Sequence, residues 1–190
     1  MAVKTFTSER ITSADINTYL TNSGLVYVTS GTLSSTATNF QGCFTSTYTN
    51  YRIVVDQVSM SAAGDVYWRL LSGATPATSA DYYWAYNGYT SGGAGADSGA
   101  SLQTAGYTGM TFAVGVANLK VGAFTIDMMN PQVAERTFGI TNGMSVTTVF
   151  RGMAGVAAHG LTVAYDGIQF SSLSAVTMTG NVTIYGYRKA

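Results

Sequence analysis

Charge is what this sequence has least of. Lys, Arg, Asp and Glu supply 9% of its residues, nine of each sign, where a globular domain ordinarily carries about 25%. With zero net charge and no basic run, nothing is placed to neutralise a phosphate backbone, which argues against nucleic acid as a partner. A neutral surface also offers little repulsion against association, so it suits a protein covered by copies of itself or by a partner. Cysteine is nearly absent: a lone Cys43 excludes an internal disulfide framework and points to synthesis and folding in a reducing cytoplasm. No apolar run approaches a membrane span, and the opening MAVKTFTSER lacks the apolar core of a secretory signal. Neither membrane insertion nor secretion is expected.

The residues of catalysis are equally scarce. His159, in VAAHGL, is the one histidine, and a triad needs a nucleophile, a base and an orienting acid together. A lone histidine among many serines singles out no such site, and a histidine at a turn or strand end is the expectation. Cys43, in QGCFTST, is read as a buried, inert thiol at an apolar strand position, with nothing basic nearby in sequence to lower its pKa. No close pair of metal-ligand residues occurs; Asp81 and Asp97 permit at most a surface calcium and read better as structural loop residues. The glycine-rich segment lacks the Lys-Ser/Thr ending of a phosphate loop, and the scattered acids nominate no glycosidase pair. The sequon Asn181-Val-Thr183 reads as strand residues. No enzymatic activity, cofactor or metal is expected.

What the chain does have is 46% hydrophobic residues, 22 glycines and much Ser and Thr, enough for one domain with a core and a small appendage. Residues 1–10 read as an extended arm, followed by a short helix in ITSADINTYLTNSG. Thr12 is a fitting N-cap, Asp15 falls where a capping box wants an acid, and Ile11 and Ile16 are spaced as a hydrophobic staple. Ile16, Tyr19 and Leu20 share one face, and Gly24 suits the stop. Three turns are too few for stability alone, so this helix must lie on something: the body of the chain or a neighbouring molecule. Residues 1–23 are therefore set apart as arm and anchoring helix, and 24–190 as the main domain.

From Leu25 onward the pattern is that of strands. NYRIVVDQVSM and DVYWRLL alternate, and GLVYVTS, MTFAVGVA, VGAFTIDMM, RTFGI, SVTTVF, LTVAYDGIQF and NVTIYGYRK are rich in β-branched and aromatic residues. Eight to ten short strands with almost no helix signal between them predict an all-β fold, an antiparallel jelly-roll-like β-sandwich. Two loops are expected, at 72–80 and at 91–106, the second too glycine-rich to hold a strand.

DYYWAYNGY, residues 81–89, concentrates aromatics in one strand. Alternation puts Tyr82, Trp84 and Tyr86 on one face and Tyr83 and Ala85 on the other. The three-ring face is the natural core or subunit interface. Tyr83 and Tyr89 remain for a surface contact, with Asn87 and Asp97 as polar neighbours. Sheet packing, an oligomer interface and a carbohydrate shelf would all use these residue types.

Three segments carry a resemblance. FTSERITSADINTYLTNSGLVYV resembles an opening module of small tailed-bacteriophage virion proteins, through Phe6, Ile11, Thr12, Ser13, Ala14, Asp15 and Asn17; it departs at Glu9, where that module has glycine. FTSTYTNYRIVVDQVSM with DVYWRLL and DYYWAYNGY is similar to the front half of jelly-roll domains in phage structural proteins, those of marine phages above all. GNVTIYGYRKA resembles their final strand. The resemblance implies a non-enzymatic protein on a virion surface, a homo-oligomer such as a trimer, in contact with other virion proteins such as the major capsid protein. It implies Phe6, Ile11, Asp15, Ile16, Asn17, Tyr19 and Leu20 as particle-anchoring residues. Such proteins sit on heads as decoration or cement, or on tails as fibre or receptor-binding pieces that meet a host-surface glycan. A chain this short, without a repetitive shaft, favours the head.

Overall fold

Alternation decides which side of each strand is buried, and β3 shows it most plainly. The computed structural model describes residues 24–91, 97–112, 122–146, 150–172 and 176–188. The expected arm and helix, residues 1–23, lie outside them. Thirteen strands are formed among the described residues: β1 (Leu25–Leu33), β2 (Ala37–Phe40), β3 (Asn50–Met60), β4 (Gly64–Ser72), β5 (Thr75–Pro76), β6 (Tyr82–Thr90) and β7 (Asp97–Gln103), then β8 (Gly106–Phe112), β9 (Gly122–Met129), β10 (Thr137–Val146), β11 (Phe150–His159), β12 (Gly167–Ser171) and β13 (Met178–Tyr187). In β3, Tyr51, Ile53 and Val55 are buried, while Arg52, Val54 and Asp56 are only half-buried.

The chain is all-β, an antiparallel jelly-roll-like sandwich. An eight-stranded sheet runs β1-β13-β3-β9-β10-β11-β6-β7; facing it, a five-stranded sheet runs β2-β12-β4-β5, with β8 pairing β4. The core lies between them. Tyr51, Ile53, Phe124, Ile126, Met128, Val182 and Ile184 of the large sheet meet Val66, Trp68, Leu70, Ile168 and Phe170 of the small one. Phe170 lies edge-on to both Phe40 and Phe124, with ring centres 6.2 and 6.1 Å apart. Each such aliphatic or phenyl side chain contributes about 1.5–3 kcal/mol by leaving water.

Trp68 is the largest fully buried side chain among the described residues. Its indole lies edge-on to Tyr82, 5.5 Å between ring centres. β8 crosses over it at Gly106, where a Cβ atom would overlap the ring. The Tyr82 hydroxyl accepts from Leu70 N–H at 3.0 Å and donates to Ala77 C=O at 3.2 Å, tying the two sheets together.

Several expectations are corrected. Among the described residues the strands number thirteen rather than eight to ten, because short β2 and β5 and the small-residue strand β11 escape a search for β-branched runs. RTFGI and the start of SVTTVF belong to one strand, β10. Of LTVAYDGIQF only Gly167–Phe170 lies in a strand; before it, Tyr165 N–H bonds Pro131 C=O in a loop and Asp166 N–H bonds Leu71 C=O near the end of β4. The glycine-rich segment does hold a strand, since Asp97–Gln103 forms β7 at the sheet edge. Gly99 is the reason: a side chain there would come within 2.8 Å of the Tyr86 ring, and glycine lets the backbone close over it. Cys43 is not in a strand but follows β2, buried, its thiol 3.2 Å from Phe40 C=O.

Candidate functional site

Strand β10 is built inside out. Its small or polar residues Thr137, Gly139 and Thr141 face the core, while Phe138, Ile140 and Met144 stand exposed on the outer face of the large sheet. The cause lies across the sandwich: the Trp68 indole reaches to within 3.3 Å of where a Cβ of Gly139 would be, so no large side chain fits inward there. β11 follows suit, with Ala157 and His159 buried and Phe150 and Val156 exposed.

Register then aligns these residues in rows. One row crosses all eight strands as Tyr27, Tyr185, Arg52, Asp127, Ile140, Val156, Ala85 and Ala100. The adjoining row carries Met129, Phe138, Ala158, Tyr83 and Leu102. Over β9, β10, β11, β6 and β7 the two rows form an open groove of about 680 Å3. Tyr83, Phe138, Ile140 and Val156 rise around it, Ala85, Ala100 and Ala158 give it depth, and among these described residues the Tyr83 hydroxyl is the one polar side-chain atom.

The β1 side of the same face is polar. Arg52 clasps Asp127 with two hydrogen bonds, and the Tyr187 hydroxyl donates to Asp127 Oδ1 at 2.6 Å. Partial burial pushes the Asp127 carboxyl up, but the Arg52 and Tyr187 hydrogen bonds outweigh it and hold the group below the ordinary carboxylate range. Tyr27, 59% exposed, lies edge-on to Tyr185 at 6.4 Å.

On β6 the two faces separate as alternation requires. Tyr82 is fully buried, and Trp84 and Tyr86 are half-buried on the inner side, their ring centres 5.8 Å apart. Tyr83, Asn87 and Tyr89 are exposed on the outer side. Tyr83 and Tyr89 are six residues apart on one strand, roughly 20 Å, too far to form a single aromatic shelf. Phe6, Ile11, Asp15, Ile16, Asn17, Tyr19 and Leu20 lie outside the described residues. Phe138, Ile140 and Val156 were not singled out by sequence reasoning; RTFGI does alternate, but alternation alone assigns its large residues to the core.

His159 ends β11 fully buried, its ring against Tyr82 at 4.4 Å and edge-on to Tyr165 at 5.2 Å. Nδ1 is 3.4 Å from the Tyr165 hydroxyl, and Nε2 has no hydrogen-bond partner. Burial depresses its pKa, opposed by the charge of Asp81. A ring so enclosed reaches no substrate. The Cys43 thiol is pushed up to about 12 by burial and is inert as a nucleophile at neutral pH. Among the described residues, no group of three His, Cys, Asp or Glu is placed to hold a metal ion.

No protein-family model matches this chain, and no curated protein does. Among solved structures, one chain comes from work on how "prominent members of the human gut microbiota express endo-acting O-glycanases to initiate mucin breakdown". It aligns at 9% identity with a TM-score of 0.24, over 78% of this chain and 59% of that one. A score so low carries no argument about fold or function.

Proposed function

We propose that this chain is a non-enzymatic structural protein of a bacteriophage virion, displayed on the particle surface as an oligomeric head decoration or cement protein. The observation that supports this reading is the inverted strand β10. A protein that turns Phe138, Ile140 and Met144 outward while placing glycine and threonine inward has given part of its apolar surface to contact. Few charges surround that surface to keep copies apart. The resemblance of three sequence segments to phage structural proteins supplies the particle, and a trimer is the oligomer it implies. Residues 1–23 serve as the attachment to the particle and its major capsid protein.

The groove is poor in hydrogen-bonding side chains, which suits a protein contact better than a sugar, whose hydroxyls need partners. The alternative, a tail-borne module that binds host glycan, draws instead on the polar end of the face. There the exposed Tyr27 ring stands beside Tyr185 and the Arg52–Asp127 pair.

The test is gold-labelled antibody against this protein on intact particles. Label over heads supports decoration, and label confined to tails supports the alternative. Particles without label overturn both. Glycan-array binding that is lost in Tyr27→Ala would also favour the tail reading.

A further inference from the structure

The outer face is laid out in matched pairs about β11. Register places Phe138 and Tyr83 on either side of Ala158, Ile140 and Ala85 beside Val156, and Asn142 and Asn87 beside Ala154. Met144 and Tyr89 flank Gly152 in the same way. At the other end Arg136 and Asp81 flank Gly160, whose N–H bonds Asp81 C=O. The members of each pair are chemically unlike and complementary, yet two strand spacings, about 10 Å, separate their backbones.

We infer that this face pairs with the same face of a second copy, about a two-fold axis running along β11. That rotation exchanges the β10 side for the β6 side, so each flanking residue meets the other member of its pair on the opposite chain. Arg136 meets Asp81 of the second copy, and the symmetry repeats the contact; within one chain neither has an ion-pair partner among the described residues. Phe138 meets the Tyr83 ring, and Ile140 fills the hollow over Ala85. Asn142 and Asn87 offer each other amide donors and acceptors. Met144 brings its thioether to the exposed Tyr89 ring. The other two-fold, across the strands through Ile140 and Val156, would set Arg136 on Met144 and Asp81 on Tyr89, burying charge without a partner. Charge therefore chooses the axis.

The area is adequate. The five strands from β9 to β7 are about 24 Å wide, and Gly152 to Gly160 spans about 26 Å. Their product, about 600 Å2 before side-chain relief is counted, approaches the 800 Å2 or so that each chain gives to a stable interface. Sheets packed face to face lie about 10 Å apart with their strands nearly aligned. The small residues of β11 permit that approach, and Val156 meets its own copy on the axis. The inference rests on the reading that the outward side of β10 is a contact surface, and names its occupant. It leaves the polar side, from β3 to β1, uncovered, so a trimer held by other surfaces can join its neighbour through this one.

The test begins with Asp81→Arg and Arg136→Asp in the full chain, each with its β-sheet circular dichroism checked. Either alone should weaken self-association about tenfold in sedimentation, because two pairs of like charges then face each other. An equal mixture of the two variants should restore it, since unlike chains again oppose opposite charges. A mixture no stronger than either variant alone overturns the inference, as does a native chain that stays monomeric at every concentration. Independently, Val156→Cys treated with a short bis-maleimide should give two chains joined through position 156, mapped by mass spectrometry, while Tyr27→Cys gives no such link. Cys43 is buried and does not compete. Absence of the link at position 156 would also sink the proposal. Particles without immunogold label leave these results standing, so the two readings fail separately.

Discussion

Arg52 and Asp127 stand opposite each other on β3 and β9 and meet through two parallel bonds, Nε to Oδ1 at 2.9 Å and Nη2 to Oδ2 at 2.7 Å. They divide the outer face: aromatic and polar toward β1, apolar toward β7. The pair is partly exposed, so its worth is modest. Asp127→Asn should cost at most about 1 kcal/mol at neutral pH, read from urea unfolding. The sign of its pH dependence is set by the lowered carboxyl pKa of the folded state. That contribution is present above the unfolded value of about 3.9 and is lost as pH falls through the folded one. Asp127→Asn should therefore flatten the acid limb of the stability curve below about pH 4.

His159 acts in a higher pH window. Burial lowers its pKa in the folded state, so the unfolded chain binds the extra proton first. Its contribution is complete above the unfolded value of about 6.5 and falls as the pH drops beneath it, by no more than about 1.4 kcal/mol per pH unit. Asp81 opposes the effect and the flanking Tyr82 and Tyr165 hydroxyls stay neutral here, so the histidine sets the sign. Thermal midpoints measured between about pH 7 and pH 5 should fall in the native protein, and much less in His159→Phe. Parallel curves would mean that the ring is not the titrating group.

Gly106→Ala places a methyl group into the Trp68 indole. Overpacking of this kind costs about 1–3 kcal/mol. Gly152→Ala is the control, because a Cβ there meets nothing within 4 Å. Denaturant unfolding should separate the two variants clearly, and equal stabilities would show that β8 can lift away from the ring.

Ile140→Lys puts a charge at the centre of the apolar face without touching the core. Surface substitutions of this kind stay within about 0.5 kcal/mol of the original stability. Sedimentation should show weaker self-association in the variant, with thermal stability unchanged. Identical sedimentation of the two proteins would remove this face from the contact.

Strand β3 could be read from sequence because its inward residues Tyr51, Ile53 and Val55 are large and apolar while Arg52 and Asp56 mark the other face. The inner and outer faces of β6 were legible for the same reason. β11, Phe150–His159, was not: glycine and alanine fill it, and they carry too little hydrophobic contrast to mark a period. β10 misleads for a different reason. Its alternation is plain, but which face is inside depends on Trp68 in the other sheet, a long-range contact that no local pattern contains. The groove sits where these two failures meet. The small residues that hide β11 from a sequence reader help form the hollow, and the outward residues of β10 rise beside it.

The pairing of β1 with β13 joins opposite ends of the described chain, and β2 likewise waits for β12. During synthesis the β9-β10-β11 meander, whose ladders are local, can form before either closing strand has been made. The adhesive face therefore exists earlier than the sandwich that supports it. Soluble yield should depend on how quickly the final strand arrives, because every pause before Met178 leaves an outward apolar surface on an unfinished sheet.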